Sequence, residues 1–336
     1  MTEEAGGFLS EIPPSETREG FSIVERVFSQ DDDNLSIGVA NIQAVVPDIE
    51  ANKEKMARAV KIFKEKKVNM AIFPEFCLSG YFWEDERECR RYMHRAVTQN
   101  HIDWIESALR PMLDENLKVI IFNNITMGLD EKYLNATFVL TEGHDYLDEA
   151  NIYNKVFIPG IEKTFTESGR SARLTLDTRW GKFGFVTSYD IMFPHLILEY
   201  ARIDQVDAII HLAAWKAKAR RDYPGMNVGT DTYYGDLWDM ILGAHSAMNQ
   251  IWTIGCNAVG VHGITGAVFW GGSGIWAPSG LRLIQASRFH EELLIVHNVD
   301  IKGQRKKEQD DFNYAMDFES IYHLVDAIRA FTRIDE

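Results

Sequence analysis

From residue 36 onward, strand-like and helix-like runs alternate along this chain, and that order restricts the fold more than any other feature. SIGVANI (36–42) is a short β-rich run, and the stretch after Pro47 places Ile49, Met56, Ala59, Val60 and Phe63 at helical spacing with lysines on the opposite face. VNMAIF (68–73) reads as a buried strand, and a second amphipathic segment covers about Ile102 to Leu113. KVIIFN (118–123) and LNATFVL (134–140) follow as strands. GKFGFVT (181–187), DAIIHL (207–212) and IWTIGCN (251–257) repeat the pattern, separated by helical stretches near 194–203 and 233–249. Strand followed by helix, repeated, predicts an α/β layered fold with the sheet buried under helices.

Composition narrows the function. The chain has 336 residues, 46% hydrophobic and 25% charged, enough for a large core in one or two domains. Its formal net charge of −15 repels phosphate backbones and anionic lipid surfaces, so neither nucleic acid nor a membrane surface is expected as a partner. The longest stretch free of Asp, Glu, Lys and Arg, Met240 to Leu281, is interrupted by nine glycines, Asn249, Gln250, Asn257 and Pro278. It lacks the continuous apolar helix of ~20 residues that a span needs. Cys77, Cys89 and Cys256 are scattered and odd in number, which argues against a disulfide framework and a thiolate zinc site. The acidic start MTEEAGGFLSEIPPSE has no apolar signal core, so a cytoplasmic location is expected. Residues 1–34 carry nine acidic and two basic side chains and are expected to form a partly disordered arm, the ordered body beginning at Asn34 to Ser36.

Three segments place a reactive type of side chain at the C-terminal end of an apolar run, where α/β folds present their sites. AIFPEF offers Glu75, IYNKVFIPG offers Lys155, and FGFVTSYDIMFP offers Ser188. Singly, each has an ordinary explanation as a solvated turn residue, a surface charge or a helix cap. Together they match a pattern in order and spacing. PEF…GY (74–81), NKVFIPG (154–160) with Glu162 just beyond, and GFVTSYDIMFP (184–194) resemble the Glu-Lys-Cys signatures of the nitrilase, or carbon-nitrogen hydrolase, superfamily. IGVANIQ (37–43), HLAAW (211–215), AMNQIWTIGCNAVG (247–260) and FWGGSGIWAPSG (269–280) extend the resemblance over residues 35 to about 300.

The resemblance implies a four-layer αββα sandwich and a homodimer or larger homo-oligomer acting on a small-molecule amide without cofactor or metal. By carry-over, Glu75 is expected as general base and Lys155 as the cation that stabilises the oxyanion, helped by the backbone N–H of Tyr189. Glu162 is the second carboxylate, which positions Lys155 and the substrate amide. The physical logic agrees. Acylation followed by deacylation needs a nucleophile, an adjacent base and a preorganised positive charge. Two carboxylates around one buried ammonium keep that Lys charged. Tyr81, Phe82, Trp83, Trp215, Phe269 and Trp270 lie near the motifs and are candidates for an aromatic substrate pocket. The tail from 301 to 336 is expected to form polar turns and then a helix with Ile321, Leu324, Val325 and Ile328 on one face, at an oligomer interface.

One residue departs from the family pattern. Ser188 stands where the superfamily has its cysteine nucleophile, and a hydroxyl is far more weakly acidic than a thiol, so a Glu base is expected to give little or no turnover. Two readings remain open: an intentional cysteine-to-serine replacement in an otherwise intact hydrolase, or a natural pseudoenzyme that keeps the pocket for binding. S-Y-D at 188–190 resembles the amidase-type C-Y-D more than the C-W-E of nitrilases. That favours amide or N-carbamoyl hydrolysis, with nitrile hydrolysis as the further alternative.

Overall fold

The computed structural model describes residues 14–129, 131–169 and 173–322. In chain order the strands begin with β1 (Glu16–Arg18), β2 (Phe21–Val27), β3 (Leu35–Asn41), β4 (Met70–Ile72), β5 (Val119–Met127), β6 (Tyr133–Thr141) and β7 (Ile152–Asn154). Next come β8 (Thr175–Thr178), β9 (Gly181–Thr187), β10 (Ala208–Ala213), β11 (Arg221–Tyr223) and β12 (Val228–Thr230). The last are β13 (Trp252–Asn257), β14 (Val259–Val261), β15 (Val268–Trp270), β16 (Gly274–Trp276), β17 (Arg282–Gln285) and β18 (Glu292–Val299). Eight of them form one sheet in the order β1-β2-β18-β3-β4-β5-β6-β7, and six form a second in the order β17-β16-β13-β10-β9-β8.

Side-chain alternation sorts these strands into layers. Along β18, Leu293 and Ile295 face the helix Ile49–Glu65, whereas Leu294 and Val296 pack between the two sheets against Phe183, Phe185, Ile210 and Ile254. Along β10, Ala208, Ile210 and Leu212 point into that inter-sheet core, while Ile209 and Ala213 join Ile197, Tyr200 and Leu242 of the helices Pro194–Arg202 and Tyr233–Asn249. Both faces of each sheet are therefore covered, which is why the central strands read as unbroken apolar runs. The result is helix, sheet, sheet, helix: the four-layer αββα sandwich.

The helix Ile49–Glu65 starts where Asp48 accepts a hydrogen bond from the Ala51 N–H at 3.0 Å, and it buries Met56, Ala59, Val60 and Phe63. Gly38 of β3 lets it approach closely, since a Cβ there would lie 2.5 Å from the Phe63 ring. The stretch Thr98 to Met112 is helical but irregular, tightening at both ends and widening over Ile105–Leu109. Pro111 near its end has no N–H to continue a regular ladder.

Two sequence expectations change. The ordered body starts before Asn34, because β1 and β2 lie in the first sheet. β2 pairs in parallel with β18, from Ser22 opposite Glu292 to Val27 opposite His297. Phe21, Ile23 and Val24 are buried, and that burial offsets the acidity of their neighbours. Residues 1–13 of the expected arm lie outside the described residues. At the other end, the expected polar turns are the helix Ile301–Asp311, initiated by Asp300, which accepts from the Gly303 N–H at 2.8 Å. It is tied to the body through Trp252 Nε1–H to the Ile301 carbonyl (2.9 Å) and the Arg305–Asp207 ion pair (2.8 Å). Of the expected apolar helix face, Leu324, Val325 and Ile328 lie outside the described residues, as does the side chain of Ile321. No described helix is long and apolar enough to cross a membrane.

Candidate active site

Glu75, Lys155 and Glu162 come from three separate segments and meet in the interior. β4 delivers Glu75, β7 ends one residue before Lys155, and Glu162 opens the short helix Glu162–Phe165. Lys155 is wholly buried. Its Nζ lies 2.9 Å from Glu75 Oε1 and 3.0 and 2.8 Å from the two oxygens of Glu162.

The carboxylates are held from other directions as well. Asn135 Nδ2 donates to Glu75 Oε1 at 2.7 Å and to Glu162 Oε2 at 3.4 Å, and the Ala214 N–H donates to Glu75 Oε2 at 2.7 Å. Tyr81 Oη donates to Glu162 Oε1 at 3.0 Å. Burial, then the charges of Glu162 and Glu75, push the Tyr81 phenol well above its usual value, so it remains a donor. Burial alone would lower the Lys155 pKa; the Glu162 and Glu75 carboxylates more than reverse that and raise it. Burial pushes the Glu162 pKa up, with the Lys155 charge opposing. The ammonium thus stays protonated in the company of two acids.

Ser188 stands on a sharp turn directly after β9, with φ of 48°. A left-handed backbone at a residue with a Cβ costs roughly 1–2 kcal/mol, and neighbouring groups hold it in place. Asp190 accepts from the Thr187 N–H at 3.2 Å, from Tyr153 Oη at 2.6 Å and from the Phe157 N–H at 2.8 Å. On the far side, His211 Nε2 lies 3.1 Å from the Ser188 carbonyl. Because a carbonyl only accepts, the imidazole carries its proton on Nε2. Burial drives the His211 pKa down to about 3, so the ring stays neutral. A relay links the turn to the carboxylates: Thr187 Oγ1 meets Thr137 Oγ1 at 3.2 Å, Asn123 Nδ2 donates to Thr137 Oγ1 and to Asn135 Oδ1, and Asn135 reaches Glu75.

Ser188 and Glu162 both face a cleft of about 590 Å³. Tyr81, Phe82, Tyr189 and Trp215 line it, as does Trp83, whereas Phe269 and Trp270 pack behind and are not part of its wall. Phe82 stacks on Phe165 with centroids 4.8 Å apart, and Trp215 Nε1 donates to the Tyr234 carbonyl at 2.6 Å, so both rings are fixed. The three cysteines are all buried and none lines the cleft; burial pushes the Cys77 thiol to about 12 and that of Cys89 to about 11. Among the described residues, no group of three or more His, Cys, Asp or Glu is placed to hold a metal ion.

Sequence reasoning missed Asn135, Tyr153, Asp190 and His211 as members of this site. The available signal was polarity where a strand should be apolar. Asn135 and Thr137 occupy the same face of β6, and Asn123 pairs opposite Thr137.

The chain is similar in sequence and fold to known proteins. Glutamine-dependent NAD(+) synthetase of Aquifex aeolicus is 23% identical over 83% of this chain and 45% of its own length, so the chain spans less than half of that relative. The ω-amidase of Saccharomyces cerevisiae is 21% identical over 66% of this chain and 73% of its own length. Among solved structures, a carbon-nitrogen hydrolase from Helicobacter pylori superposes with a TM-score of 0.69 at 18% identity, covering 89% of this chain and 99% of that one. A Cys-to-Ala mutant of the Nesterenkonia amidase superposes with a TM-score of 0.65 at the same identity and coverage. At such identities these structures establish the shared fold. The carbon-nitrogen hydrolase family model matches residues 36–305, from β3 into the helix after β18 and across every segment that builds the buried cluster, and the chain belongs to that family.

Proposed function

We propose that this protein carries the site of an amidase-type hydrolase that cleaves a non-peptide amide or N-carbamoyl bond through an acyl intermediate, with position 188 as the nucleophile. The observation that carries the proposal is the buried Lys155 ammonium between Glu75 and Glu162, beside the cleft onto which Ser188 opens. Removing such ions from water costs several kcal/mol each, so a fold that retains three of them has a use for the charges. The name of the yeast relative, an ω-amidase, and that of the Nesterenkonia amidase favour an amide over a nitrile.

In this reading the nucleophile adds to the carbonyl carbon while Glu75 takes its proton. Lys155 and the Tyr189 N–H stabilise the oxyanion. The tetrahedral intermediate collapses, the C–N bond breaks, and Glu75 returns the proton to the departing nitrogen. Glu75 then deprotonates a water that attacks the acyl carbon, releasing the carboxylic acid and freeing the nucleophile. Glu162 holds Lys155 and orients the amide nitrogen.

The serine limits this cycle, since a carboxylate is a poor base for a hydroxyl and the neutral His211 is committed to the Ser188 carbonyl. Little turnover is expected as the chain stands, and strong turnover after Ser188→Cys. Ammonia release from a panel of amides, N-carbamoyl compounds and nitriles, compared between the two forms, tests this. Silence of both forms, with ligand still bound, would replace the hydrolase by a binding protein on the same scaffold. Assembly as a homodimer or larger is part of the proposal and is read from the molar mass in solution.

A further inference from the structure

The turn that carries Ser188 is gripped by two buried imidazoles from different elements. His211 reaches it from β10, where its Nε2–H donates to the Ser188 carbonyl at 3.1 Å. His245 reaches it from the helix Tyr233–Asn249, with Nε2 2.8 Å from the Ile191 carbonyl. A carbonyl only accepts, so this second ring also carries its proton on Nε2. Burial lowers the pKa of both rings and favours their neutral, single-donor form.

His211 interrupts a strand that is otherwise apolar, Ala208–Ala213, and it is as fully buried as its neighbours. Its Nδ1 has no hydrogen-bond partner among the described residues. Enclosing an unpaired polar atom is unfavourable, and an aliphatic side chain would fill the same place without that cost. What the imidazole adds is the single bond from Nε2 to the Ser188 carbonyl. The ring is held for that bond: it stacks on Trp238 with centroids 5.0 Å apart and meets Trp215 edge-on at 6.3 Å. Those indoles are tied in turn through Nε1–H to the Gly272 carbonyl at 3.0 Å and the Tyr234 carbonyl at 2.6 Å.

The Ser188 carbonyl belongs to the same planar unit as the Tyr189 N–H. The peptide is trans, so the two groups point in opposite directions, and fixing the carbonyl toward His211 fixes the N–H away from it. The left-handed φ of 48° at Ser188 makes such a hold necessary, because an L residue left to itself prefers other backbone conformations. A hydrogen bond accepted by the carbonyl also polarises the amide and strengthens its N–H as a donor. We propose that His211 is a positioning residue for the oxyanion: it holds the Ser188 carbonyl and, through the shared peptide plane, sets the aim of the Tyr189 N–H, while His245 anchors the far end of the same turn. This rests on the hydrolase reading and adds to it the groups that preorganise one of its oxyanion donors.

Hydrolysis of p-nitrophenyl acetate by the full chain in its Ser188→Cys form, alone and combined with His211→Leu or His211→Gln, gives the first readout. His211→Leu removes the donor, and His211→Gln returns an amide N–H close to where Nε2 stands. Removing an oxyanion donor outright lowers kcat by about 10²–10³-fold, so misaiming one is expected to lower it by about 10²-fold with KM nearly unchanged, and His211→Gln to recover about tenfold or more. The second readout needs no turnover. In the isotope-labelled chain with Ser188 in place, the magnetic resonance signal of the Tyr189 amide is expected to shift in His211→Leu and to return toward its original position in His211→Gln. Should His211→Leu fail to fold, His211→Asn takes its place, with its amide at the Nδ1 position and short of the carbonyl. A kcat that stays within about twofold, or a loss that His211→Gln does not relieve, overturns the positioning role and leaves the hydrolase. A Tyr189 signal that follows residue 211, in a protein whose Ser188→Cys form leaves the ester and every amide intact, would remove the hydrolase and keep the hold of His211 on the turn. A Tyr189 signal that stays in place would remove that hold.

Discussion

Replacing Asp190 by Asn should change not only the stability of the protein but also the way stability depends on pH. Asp190 is fully enclosed, and burial pushes its pKa from 3.8 to about 6, against the opposing pull of the Tyr153 hydroxyl, the Lys155 charge and the Phe157 and Thr187 N–H groups. Below about pH 4 the carboxyl is protonated in both the folded and unfolded states. Between pH 4 and 6 the unfolded chain releases this proton while the folded one retains it, so stability falls as pH rises and the loss is complete above about 6. A gap of about two pKa units corresponds to roughly 3 kcal/mol in total, of which about 2 kcal/mol falls between pH 4.5 and 7. Asp190→Asn has no such titration and loses acceptor capacity for its three donors at every pH. Urea unfolding of both proteins, followed by tryptophan fluorescence from pH 4.5 to 7, gives the difference in stability, parent minus variant. His211, whose low folded pKa favours the folded state above about pH 6.5 and is lost toward acid, is common to both and cancels. The difference should shrink by about 2 kcal/mol across that range. A difference that stays flat, or grows with pH, would refute the reasoning that Asp190 is held in the protein at the expense of its charge.

Two further substitutions test the packing around the site. Lys155→Met leaves Glu75 and Glu162 buried without their cation and should destabilise the fold by about 3–5 kcal/mol at pH 7, and by less at pH 5, where a carboxylate can take up a proton. A urea midpoint within about 1 kcal/mol of the parent at pH 7 would contradict the ion cluster. Gly235→Ala, a favourable exchange by helix propensity, would set a Cβ 2.3 Å from the Trp270 ring and should cost about 1–3 kcal/mol; a raised Tm would show that the ring can move aside.

The layers were legible because runs such as FGFV (183–186) and AII (208–210) are apolar at successive positions, as a strand covered on both faces requires. Glu75, Lys155 and Ser188 were legible because each follows such a run. Asn135 was not, because its meaning depends on which strand lies beside it. In LNATFVL it is one polar residue in an alternating strand, and it joins the two carboxylates only once β6 lies antiparallel to β5 and the chain has folded Lys155 back beneath it. The strand Phe21–Val27 was hidden by the charges around it. Its apolar pattern is short, and its partner, β18, lies about 270 residues away, beyond the reach of any local pattern. The helix Ile301–Asp311 was obscured because its one buried anchor, Ile301, sits at its very start and the remainder is polar.

That placement of β18 governs the order in which the molecule can be completed. The strand lies between β2 and β3, so two segments are neighbours of one made roughly 250 residues later. At ribosomal speeds of about 5–20 residues per second, the roughly 250 residues separating β3 from β18 take on the order of ten to fifty seconds to emerge. Throughout that interval one edge of β3 presents unpaired amides and carbonyls, the kind of template on which nascent chains associate with one another. The first sheet is closed like a seam from its middle, by a strand that joins two segments emerging long before it.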